Sequence, residues 1–385
     1  MTLSTFLIMI GCLKIMKSKK IKFYNFKKIY IEKKYRDNNN VKKILDKIDG
    51  MPPVEYVNDL FSLVKSMPVV NNPAEKSGIL FLGGIRGDIL KRCPGSLGHI
   101  CCNYYVINLY IGCPLNCTYC ILQEYLNQPF TIINVDIEKI FDTLDNIFKK
   151  SKKFYRIGTG ELGDSLVYDP LTEFSKNFIR FFSNYQGNIF EFKTKTVFID
   201  NIMQVDSPGN IVIGFSLNPE IVIKSHEGFS SSLIERLDAA KKLVKKGYKI
   251  SLHFDPIINI ADFDIKYFDL IKIIFNYISG KDIAWVSLGT FRYLPGLKKM
   301  IEYNYPGTDI LYDEFVLCSD KKYRYLKPVR LNLYKKIIKF LHSYDKDMLI
   351  YLCMESPEIW KKTLGYLPFK EEKLNLIFRD SVLRK

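Results

Sequence analysis

The sequence lacks the features that mark a membrane-spanning or a disulfide-stabilised protein. No run of about 18 apolar residues occurs in the 385-residue chain, so no membrane-spanning helix is expected. The nine cysteines are odd in number, and most of them fall between residues 93 and 120, whereas a disulfide framework would spread them through a small secreted chain. We therefore expect a reducing, cytoplasmic and metal-binding context.

The common phosphate- and dinucleotide-binding fingerprints are absent as well. The glycines of the segment FLGGIRGDIL (81–90) do not have the spacing of a dinucleotide fingerprint, and no segment resembles a P-loop. No solenoid-type repeat is present. The apolar residues 2–16 lack both a basic leader and a cleavage site, so we interpret them as a disordered tail or as sequence ahead of the true start at Met16.

The composition is that of a globular protein with a large excess of positive charge. A hydrophobic content of 47% and a charged content of 25% are ordinary, and the length allows one large domain with appendages. The net charge of +16 has two interpretations. It indicates a polyanionic partner such as nucleic acid, or it reflects an AT-rich genome that encodes lysine freely.

From residue 106 onward, short β-rich runs alternate with amphipathic helices. The candidate strands are 106–112, 154–160, 189–195, 211–217, 249–255 and 283–289. Between them, Asp136 is placed to cap a helix with one apolar face. A second helix runs from the serines at 230–232 to Gly247, and residues 264–278 form a third. This alternation predicts a parallel sheet with helical crossovers.

These patterns divide the chain into four predicted segments. They are a basic N-terminal extension (1–45), a turn-rich segment (46–105), the repeating unit of strands and helices (106–300) and a C-terminal appendage (301–385). The appendage is expected to contain a basic hairpin within 312–334, helices at 329–345 and 355–364, and a strand at 349–354.

Three closely spaced cysteines lie in the segment GCPLNCTYC. Cys113, Cys117 and Cys120 follow a predicted strand and precede a predicted helix, and thiolates are soft ligands that suit zinc or iron–sulfur clusters. Structural zinc takes four ligands, so a zinc site would need His99 or Cys102 as the fourth. Three thiolates can instead hold three irons of a 4Fe-4S cluster and leave the fourth iron open to a substrate.

This CxxxCxxC loop, on the first strand of a parallel α/β unit, resembles the signature of the radical S-adenosylmethionine superfamily. The resemblance implies an α/β fold, a partial (β/α)6 TIM-type barrel with the cluster at the C-terminal ends of the strands. It also implies that S-adenosylmethionine binds the open iron. Reductive cleavage, with an electron donor such as flavodoxin or ferredoxin, then yields a 5′-deoxyadenosyl radical that abstracts hydrogen. Tyr119, just before the third cysteine, is similar to the aromatic residue found there in the superfamily.

Further segments resemble the cofactor-binding motifs of this superfamily. The segment RIGTGELGDS (156–165) is similar to its GGE-type motif, which assigns Gly158, Gly160 and Glu161 to the methionine amino group. A glycine-rich strand end permits such a close approach. The residues assigned to the cofactor's carboxylate and ribose are Lys195, Ser216, Asn218 and Arg236, and residues 255–257 are placed to back the adenine.

Within the superfamily, the chain resembles the spore photoproduct lyase family. The similarity covers roughly residues 26–340 and includes FSLNPEIVIKSHEG, RLDAAKKLVKKGY and MIEYNYPGTDILYDE in the same order. It implies a carbon–carbon lyase that repairs a UV-made thymine photoproduct in DNA by abstracting a hydrogen from the lesion. It also implies a basic hairpin that wedges into DNA, whose phosphate and base contacts come from Lys321, Lys322, Tyr323, Arg324 and Tyr325.

Two positions depart from this family. Its hydrogen-donating cysteine corresponds to Glu161 here, and its tyrosine after the third cluster cysteine corresponds to Ile121. Either another thiol donates hydrogen, with Cys318 and Cys353 as candidates, or the chain acts on another substrate such as a peptide, an RNA base or a small metabolite. A third hypothesis, a non-enzymatic zinc or nucleic-acid-binding protein, is distinguished from these two by its metal content.

A second group of cysteines precedes the loop. Cys93, Cys101 and Cys102 are candidates for a second iron–sulfur cluster or for hydrogen donation. The favoured interpretation is that they are small buried side chains, because free cysteine is among the residues most often buried.

Overall fold

The computed structural model describes residues 24–66, 78–96, 98–126, 128, 130–367 and 371–383. The apolar stretch 2–16 and the alternative start at Met16 lie outside the described residues. No helix in the described ranges is long and apolar enough to cross a membrane.

The secondary structure alternates along most of the chain. The strands are β1 (Lys28–Glu32), β2 (Val54–Val57), β3 (Ile79–Gly83), β4 (Lys91–Arg92), β5 (Tyr104–Val106), β6 (Tyr110–Ile111), β7 (Thr131–Asn134), β8 (Arg156–Gly158), β9 (Ile189–Thr194), β10 (Ile211–Ser216), β11 (Lys249–Ile257), β12 (Ile283–Thr290), β13 (Arg292–Tyr293), β14 (Phe315–Leu317), β15 (Tyr323–Tyr325) and β16 (Ile350–Leu352). The α-helices are α1 (Asn39–Leu45), α2 (Leu60–Ser66), α3 (Leu122–Tyr125), α4 (Ile137–Lys150), α5 (Asp169–Thr172), α6 (Phe174–Ser183), α7 (Glu220–His226), α8 (Leu233–Lys245), α9 (Phe263–Tyr277), α10 (Pro295–Asn304), α11 (Lys327–His342), α12 (Pro357–Leu364) and α13 (Glu371–Leu383).

The largest sheet is a curled, mostly parallel half-barrel. Its strand order is β16-β12-β11-β10-β9-β8-β5-β4, and every pair is parallel except β5 with β4. The curl brings the two ends of the parallel series together. Ile100, just before β5, donates its N–H to the carbonyl of Glu355, just after β16, at 3.0 Å. The predicted α/β partial barrel is thus confirmed, and β16 extends its parallel series beyond the six strands expected.

Three predicted helices form where the sequence places them. Asp136 caps α4 by accepting a hydrogen bond from the Lys139 amide. Ser232 and Glu235 form a capping box at the start of α8. Helix α9 covers most of 264–278. The caps satisfy backbone donors at the first helical turn, which is why these helix starts are readable from sequence.

The stretch 106–112 is not one strand, as predicted, but two that belong to different sheets. β5 ends at Val106 in the half-barrel, and β6 pairs antiparallel with β7 in a second sheet of order β2-β1-β3-β7-β6. The turn between them is fixed by Asn134, whose side-chain amide donates to the carbonyls of Asn108 (2.5 Å) and Leu109 (3.2 Å). The segment that carries the three cysteines therefore starts from β6 of this second sheet.

Part of the predicted basic extension is an internal strand. β1 lies between β2 and β3, and Ile29 and Ile31 are buried in the core. The frequent lysines of residues 17–45 obscure the short apolar run within KIYIE, which forms an internal strand of the second sheet.

The C-terminal residues close the end of the half-barrel where its strands begin. Phe378 of α13 packs edge-on against Trp285 (5.4 Å between ring centroids) and Tyr351 (5.2 Å), and the Arg156 guanidinium lies 3.7 Å from its ring centre. The opposite end, where the strands finish, is left for the cysteine loop and the predicted cofactor residues.

Candidate active site

The three cysteines of the loop between β6 and α3 line one pocket. Cys113, Cys117 and Cys120 share it with backbone and side chains of the loop and of β7, including Gly112 and Thr131. Burial is the main cause that raises the pKa of all three thiols, to about 12 for Cys113, where the carboxylate of Asp164 adds to it. The loop thus presents three desolvated thiols to one space.

This donor set fits an iron–sulfur cluster better than a single ion. Within the described ranges, no three His, Cys, Asp or Glu side chains lie close enough together to hold one metal ion. A tetrahedral zinc site brings its sulfurs to within about 4 Å of one another, because Zn–S bonds are about 2.3 Å long. The zinc alternative completed by His99 or Cys102 therefore has no ligand group of the required spacing there. A four-iron cluster is larger than one ion and takes thiolates as its ligands.

Backbone hydrogen bonds from the segment 226–229 hold the cysteine loop. The Thr118 amide donates to the His226 carbonyl (2.9 Å), and the Phe229 amide donates to the Leu115 carbonyl (2.8 Å). Between these contacts, a Cβ at Gly228 would lie 2.5 Å from the Leu115 oxygen, so only glycine permits this approach. The position of the loop is consequently tied to the end of α7.

The glycine-rich segment after β8 borders the same end of the half-barrel. A Cβ at Gly158 would overlap the Tyr104 hydroxyl, and one at Gly160 would lie 3.0 Å from the Lys193 Cβ. Both glycines are therefore required by close packing against neighbouring protein atoms, because a side chain at either position would collide with them. Glu161 is only partly buried, and its charge contributes to a raised pKa of Tyr125 behind burial and Glu124.

Asp164 fixes this glycine-rich segment to the end of β9. Its carboxylate accepts hydrogen bonds from the amides of Leu166 (2.9 Å) and Lys195 (2.7 Å) and from the Thr194 hydroxyl (2.8 Å). Lys195, one of the predicted cofactor residues, then directs its ammonium toward Tyr119, 5.8 Å from the ring centre. Asp164 was not predicted as a site residue.

Glu227 joins four of the predicted residues in one buried network. Its carboxylate accepts hydrogen bonds from Tyr119 (2.5 Å), Asn218 (3.1 Å) and Arg236 (2.5 Å). Arg236 in turn donates to the Ser216 carbonyl at 2.7 Å. Sequence reasoning missed Glu227, although it lies within the segment SHEG that carries part of the family resemblance.

Arg236, which the sequence assigns to the cofactor, is bound mainly by other protein groups, and its direct contact with the cofactor stays a prediction. Its side chain is fully buried, and its donors are taken by the carbonyls of Ser231 and Ser216, the Ser230 hydroxyl and Glu227. The Arg236 guanidinium thus connects the end of β10 with the segment 227–231. Ser216 and Asn218 remain at the end of β10, where the sequence places them.

Charged side chains and thiols line the interior next to this network. Arg292 pairs with Asp255 (3.0 Å), which the sequence assigned to the adenine, and its Nη2 lies 3.6 Å from the Cys353 sulfur. Burial is the main cause that raises the pKa of Cys353 and of Cys102, and Asp255 and Cys102 raise the pKa of Cys353 further. Cys93 and Cys101 belong to the same neighbourhood as Cys102.

The predicted DNA-binding hairpin forms, but not all of its residues face outward. Arg324 is 1% exposed and bonded to Asp320 at 2.6 Å, and Tyr325 is equally buried. Neither side chain faces solvent here, and the DNA contacts of these two residues stay a prediction. Lys321 is exposed, whereas Lys322 donates to the Ser96 hydroxyl at 2.7 Å.

The last residue of the hairpin prediction, Tyr323, and the candidate hydrogen donor Cys318 are both partly buried. Tyr323 stacks on Tyr293 with ring centroids 5.3 Å apart. Cys318 lies in the hairpin turn, where its thiol contacts the Val316 carbonyl at 3.8 Å. Of the two candidate donor thiols, Cys353 is the one beside the barrel's charged residues.

Comparison with known proteins places these features in a family. A family model described as spore photoproduct lyase matches residues 100–342, more than half of the chain. A spore photoproduct lyase of Geobacillus sp. (strain Y412MC61) is 29% identical over 225 residues, which cover 57% of this chain and 65% of that protein. The enzyme of Bacillus subtilis (strain 168) is 29% identical over 215 residues, or 54% and 63% of the two chains. The matches thus span slightly less than two thirds of the length of these curated relatives.

Solved structures have the same fold. A spore photoproduct lyase variant with bound AdoMet and dinucleoside spore photoproduct matches with a TM-score of 0.75 at 22% identity, covering 86% of this chain and 99% of that one. A complex of spore photoproduct lyase with dinucleoside spore photoproduct has a TM-score of 0.74 at the same identity and coverage. With the family model, these matches show that the chain belongs to the spore photoproduct lyase family.

Proposed function

We propose that this chain is a radical S-adenosylmethionine enzyme that acts as a lyase on a thymine photoproduct in DNA. The observation that carries the proposal is the convergence of Cys113, Cys117 and Cys120 on one pocket, which the cysteine loop, α3 and the start of β7 line. A 4Fe-4S cluster held there would supply one electron to S-adenosylmethionine and so the 5′-deoxyadenosyl radical that abstracts hydrogen. An electron donor such as flavodoxin or ferredoxin, in a reducing cytoplasm, would provide that electron.

The residues around the pocket supply the contacts for the cofactor. Lys195, Ser216 and Asn218 offer polar groups at the ends of β9 and β10, and Gly158 and Gly160 lie at the end of the neighbouring strand β8. Arg236 contributes indirectly, since it holds the Ser216 carbonyl and Glu227 in place. The substrate assignment draws on relatives named spore photoproduct lyase and on the net charge of +16, which favours DNA.

Cys353 is proposed as the hydrogen donor in place of the missing family cysteine. Its neighbours Arg292 and Asp255 fix the sulfur, and burial keeps it as a neutral thiol by raising its pKa. Transfer breaks the S–H bond, forms a C–H bond at a substrate carbon radical and leaves a thiyl radical at Cys353. Return of hydrogen from 5′-deoxyadenosine to the thiyl radical would re-form the 5′-deoxyadenosyl radical, and the cycle would be redox-neutral if that radical recombined with methionine and returned the electron to the cluster.

A second candidate function is the same radical chemistry on a substrate other than DNA. Glu161 in place of the donor cysteine, and the burial of Arg324 in the hairpin, favour this alternative. A second cluster on Cys93, Cys101 and Cys102 is a further proposal, which the iron content per chain tests.

The deciding experiment uses anaerobically reconstituted, reduced protein with S-adenosylmethionine and either UV-irradiated or unirradiated DNA. We expect about four irons per chain for one cluster, 5′-deoxyadenosine formation and loss of the thymine photoproduct by mass spectrometry. Full cofactor cleavage by Cys117→Ala, or one colourless zinc per chain, would overturn the radical assignment. Cofactor cleavage that is indifferent to irradiated DNA would favour the second candidate function.

The same assay in D2O tests the hydrogen donor. The repaired thymine should carry solvent deuterium with wild-type protein and with Cys318→Ala, because an exchangeable thiol supplies the hydrogen. Cys353→Ala should lose this label and accumulate abortive products while its cofactor cleavage continues. Unchanged labelling in Cys353→Ala would remove Cys353 from the reaction.

A further inference from the structure

The cysteine loop has a buried acidic anchor outside its own sequence. Glu227 follows α7 directly and has no exposed surface. Its two neighbours in sequence belong to the segment that binds the loop backbone, since His226 accepts from the Thr118 amide and Gly228 packs against the Leu115 carbonyl. The Glu227 carboxylate is therefore carried on the same short piece of chain that holds the loop.

Both carboxylate oxygens of Glu227 are used, and they face different parts of the site. Oε1 accepts from the Tyr119 hydroxyl (2.5 Å) and from the Asn218 amide (3.1 Å). Oε2 accepts from Arg236 (2.5 Å) and from the Ser230 hydroxyl (3.4 Å). Oε1 thus binds Tyr119, which lies between the second and third cysteines. Oε2 binds Arg236, which in turn holds the Ser216 carbonyl at the end of β10.

The charge on Glu227 is required by this arrangement. Burial raises its pKa, but the cations of Arg236 and Lys195 outweigh burial and hold the pKa at about 2, so the group is ionised at neutral pH. All four partners are hydrogen-bond donors, and only an ionised carboxylate offers two acceptor oxygens. A glutamine would present an amide N–H₂ to at least one pair of these donors.

We propose that Glu227 is a positioning residue that locks the cysteine loop to the cofactor-binding strand ends through Tyr119, Asn218 and Arg236. Because charge-assisted hydrogen bonds are shorter and stronger than neutral ones, the link fixes the distance between the thiols and the end of β10. The inference rests on the proposed function for its catalytic meaning, but the link itself is a property of the protein without cofactor.

The test compares Glu227→Gln with a matched buried glutamate. Glu355 is also fully buried and also pairs with an arginine and a tyrosine, Arg330 (2.5 Å) and Tyr334 (3.0 Å), but it lies at the end of β16. Native-state hydrogen–deuterium exchange of the apo-proteins is followed at residues 113–120, together with urea denaturation. A purely structural role would make the two variants alike once their stabilities are compared.

We expect Glu227→Gln to speed amide exchange of the loop roughly tenfold or more beyond what its global stability explains, as the loss of a charged hydrogen bond implies. Glu355→Gln should change exchange only as much as its stability does. In the reconstituted proteins, Glu227→Gln should weaken S-adenosylmethionine binding by a similar factor and alter the cofactor-induced change in the cluster's electron paramagnetic resonance spectrum, whereas Glu355→Gln should do neither.

A second variant keeps the proposal falsifiable if Glu227→Gln does not fold. Tyr119→Phe removes one donor and leaves Arg236 paired, so it should loosen the loop to a smaller degree than Glu227→Gln. Loop exchange in Tyr119→Phe equal to wild type, or loop exchange in Glu227→Gln that follows global stability as in Glu355→Gln, would overturn the proposal. Failure of the wild-type protein to bind iron would instead refute the proposed function and leave the exchange result valid.

Discussion

At the residue scale, one buried ion pair keeps the hairpin turn together. Asp320 and Arg324 form it at 2.6 Å, with almost no exposure of either side chain. Burial raises the pKa of Asp320, but its hydrogen bond to Arg324 and the cation's charge hold that pKa at about 2, so the pair is ionised at neutral pH. The pair therefore has a structural role, while the hairpin's outward charge comes from Lys321.

These two basic residues should respond differently to substitution. Arg324→Ala leaves a buried carboxylate without its partner and should lower the free energy of unfolding by about 3–5 kcal/mol in urea denaturation. Lys321→Ala should leave stability within about 0.5 kcal/mol. It should reduce the salt dependence of DNA binding by about one phosphate contact. An Arg324→Ala protein of unchanged stability with weakened DNA binding would contradict this assignment and restore the predicted wedge contact.

Sequence reasoning can propose the candidate site residues that have local signals, and it misses those that have none. The three cysteines are spaced within one loop, and the glycines at 158 and 160 follow a strand, so short-range pattern identifies them. Glu227 binds Tyr119 across 108 positions of chain. A buried acid whose partners come from other elements carries no periodicity or spacing of its own, and only the folded arrangement reveals it.

At the element scale, α13 closes the end of the half-barrel where the strands begin. Phe378 is fully buried between the rings of Trp285 and Tyr351 and over the Arg156 guanidinium. Two of the Arg156 nitrogens, Nε and Nη1, are buried without a hydrogen-bond partner, and the surrounding rings stabilise that cation together with the charge of Glu191. Helix α13 therefore acts as a plug, in the sense that its Phe378 covers the Arg156 guanidinium and excludes water from it.

Phe378→Ala should therefore lower the free energy of unfolding by about 3–5 kcal/mol. The loss combines the missing ring contacts with exposure of Arg156 to an incompletely filled space. Leu376, on the same helix and 47% exposed, is the matched control, and Leu376→Ala should change stability by less than about 0.5 kcal/mol. Urea denaturation followed by tryptophan fluorescence measures both, and equal effects of the two substitutions would show that α13 is not a plug.

The elements of the half-barrel were predictable because buried strands alternate with amphipathic helices. The second, five-stranded sheet was not predicted. Strands β8 to β12 are apolar runs buried on both faces and separated by amphipathic helices, a pattern that length and periodicity identify. β6 and β5 together read as one strand, because the turn between them contains the apolar Ile107 and Leu109. What separates the two is a hydrogen bond from Asn134, which is distant in sequence.

At the scale of the whole molecule, the cysteine loop follows the point where the chain passes from the half-barrel to the second sheet. β5 belongs to the half-barrel and β6 to the sheet built on β1, β3 and β7, so the loop that follows β6 is supported from both sides. The Gly112 amide donates to the Leu162 carbonyl at 2.9 Å and links this junction back to the segment after β8. The smaller sheet is thereby part of the framework of the site.

Substitution of Asn134 tests that dependence. Asn134→Ala removes the donor to the carbonyls of Asn108 and Leu109, and we expect a loss of about 1–3 kcal/mol in the free energy of unfolding together with faster amide exchange at residues 110–120. Asn146→Ala is the control, because its side chain also donates to a backbone carbonyl (2.9 Å), but from an exposed position on α4. Iron retention after reconstitution should fall in Asn134→Ala and stay at the wild-type level in Asn146→Ala. If Asn134→Ala lost stability while its loop exchange and iron content matched wild type, the smaller sheet would stabilise the fold without positioning the cysteines, and the half-barrel alone would set the geometry of the site.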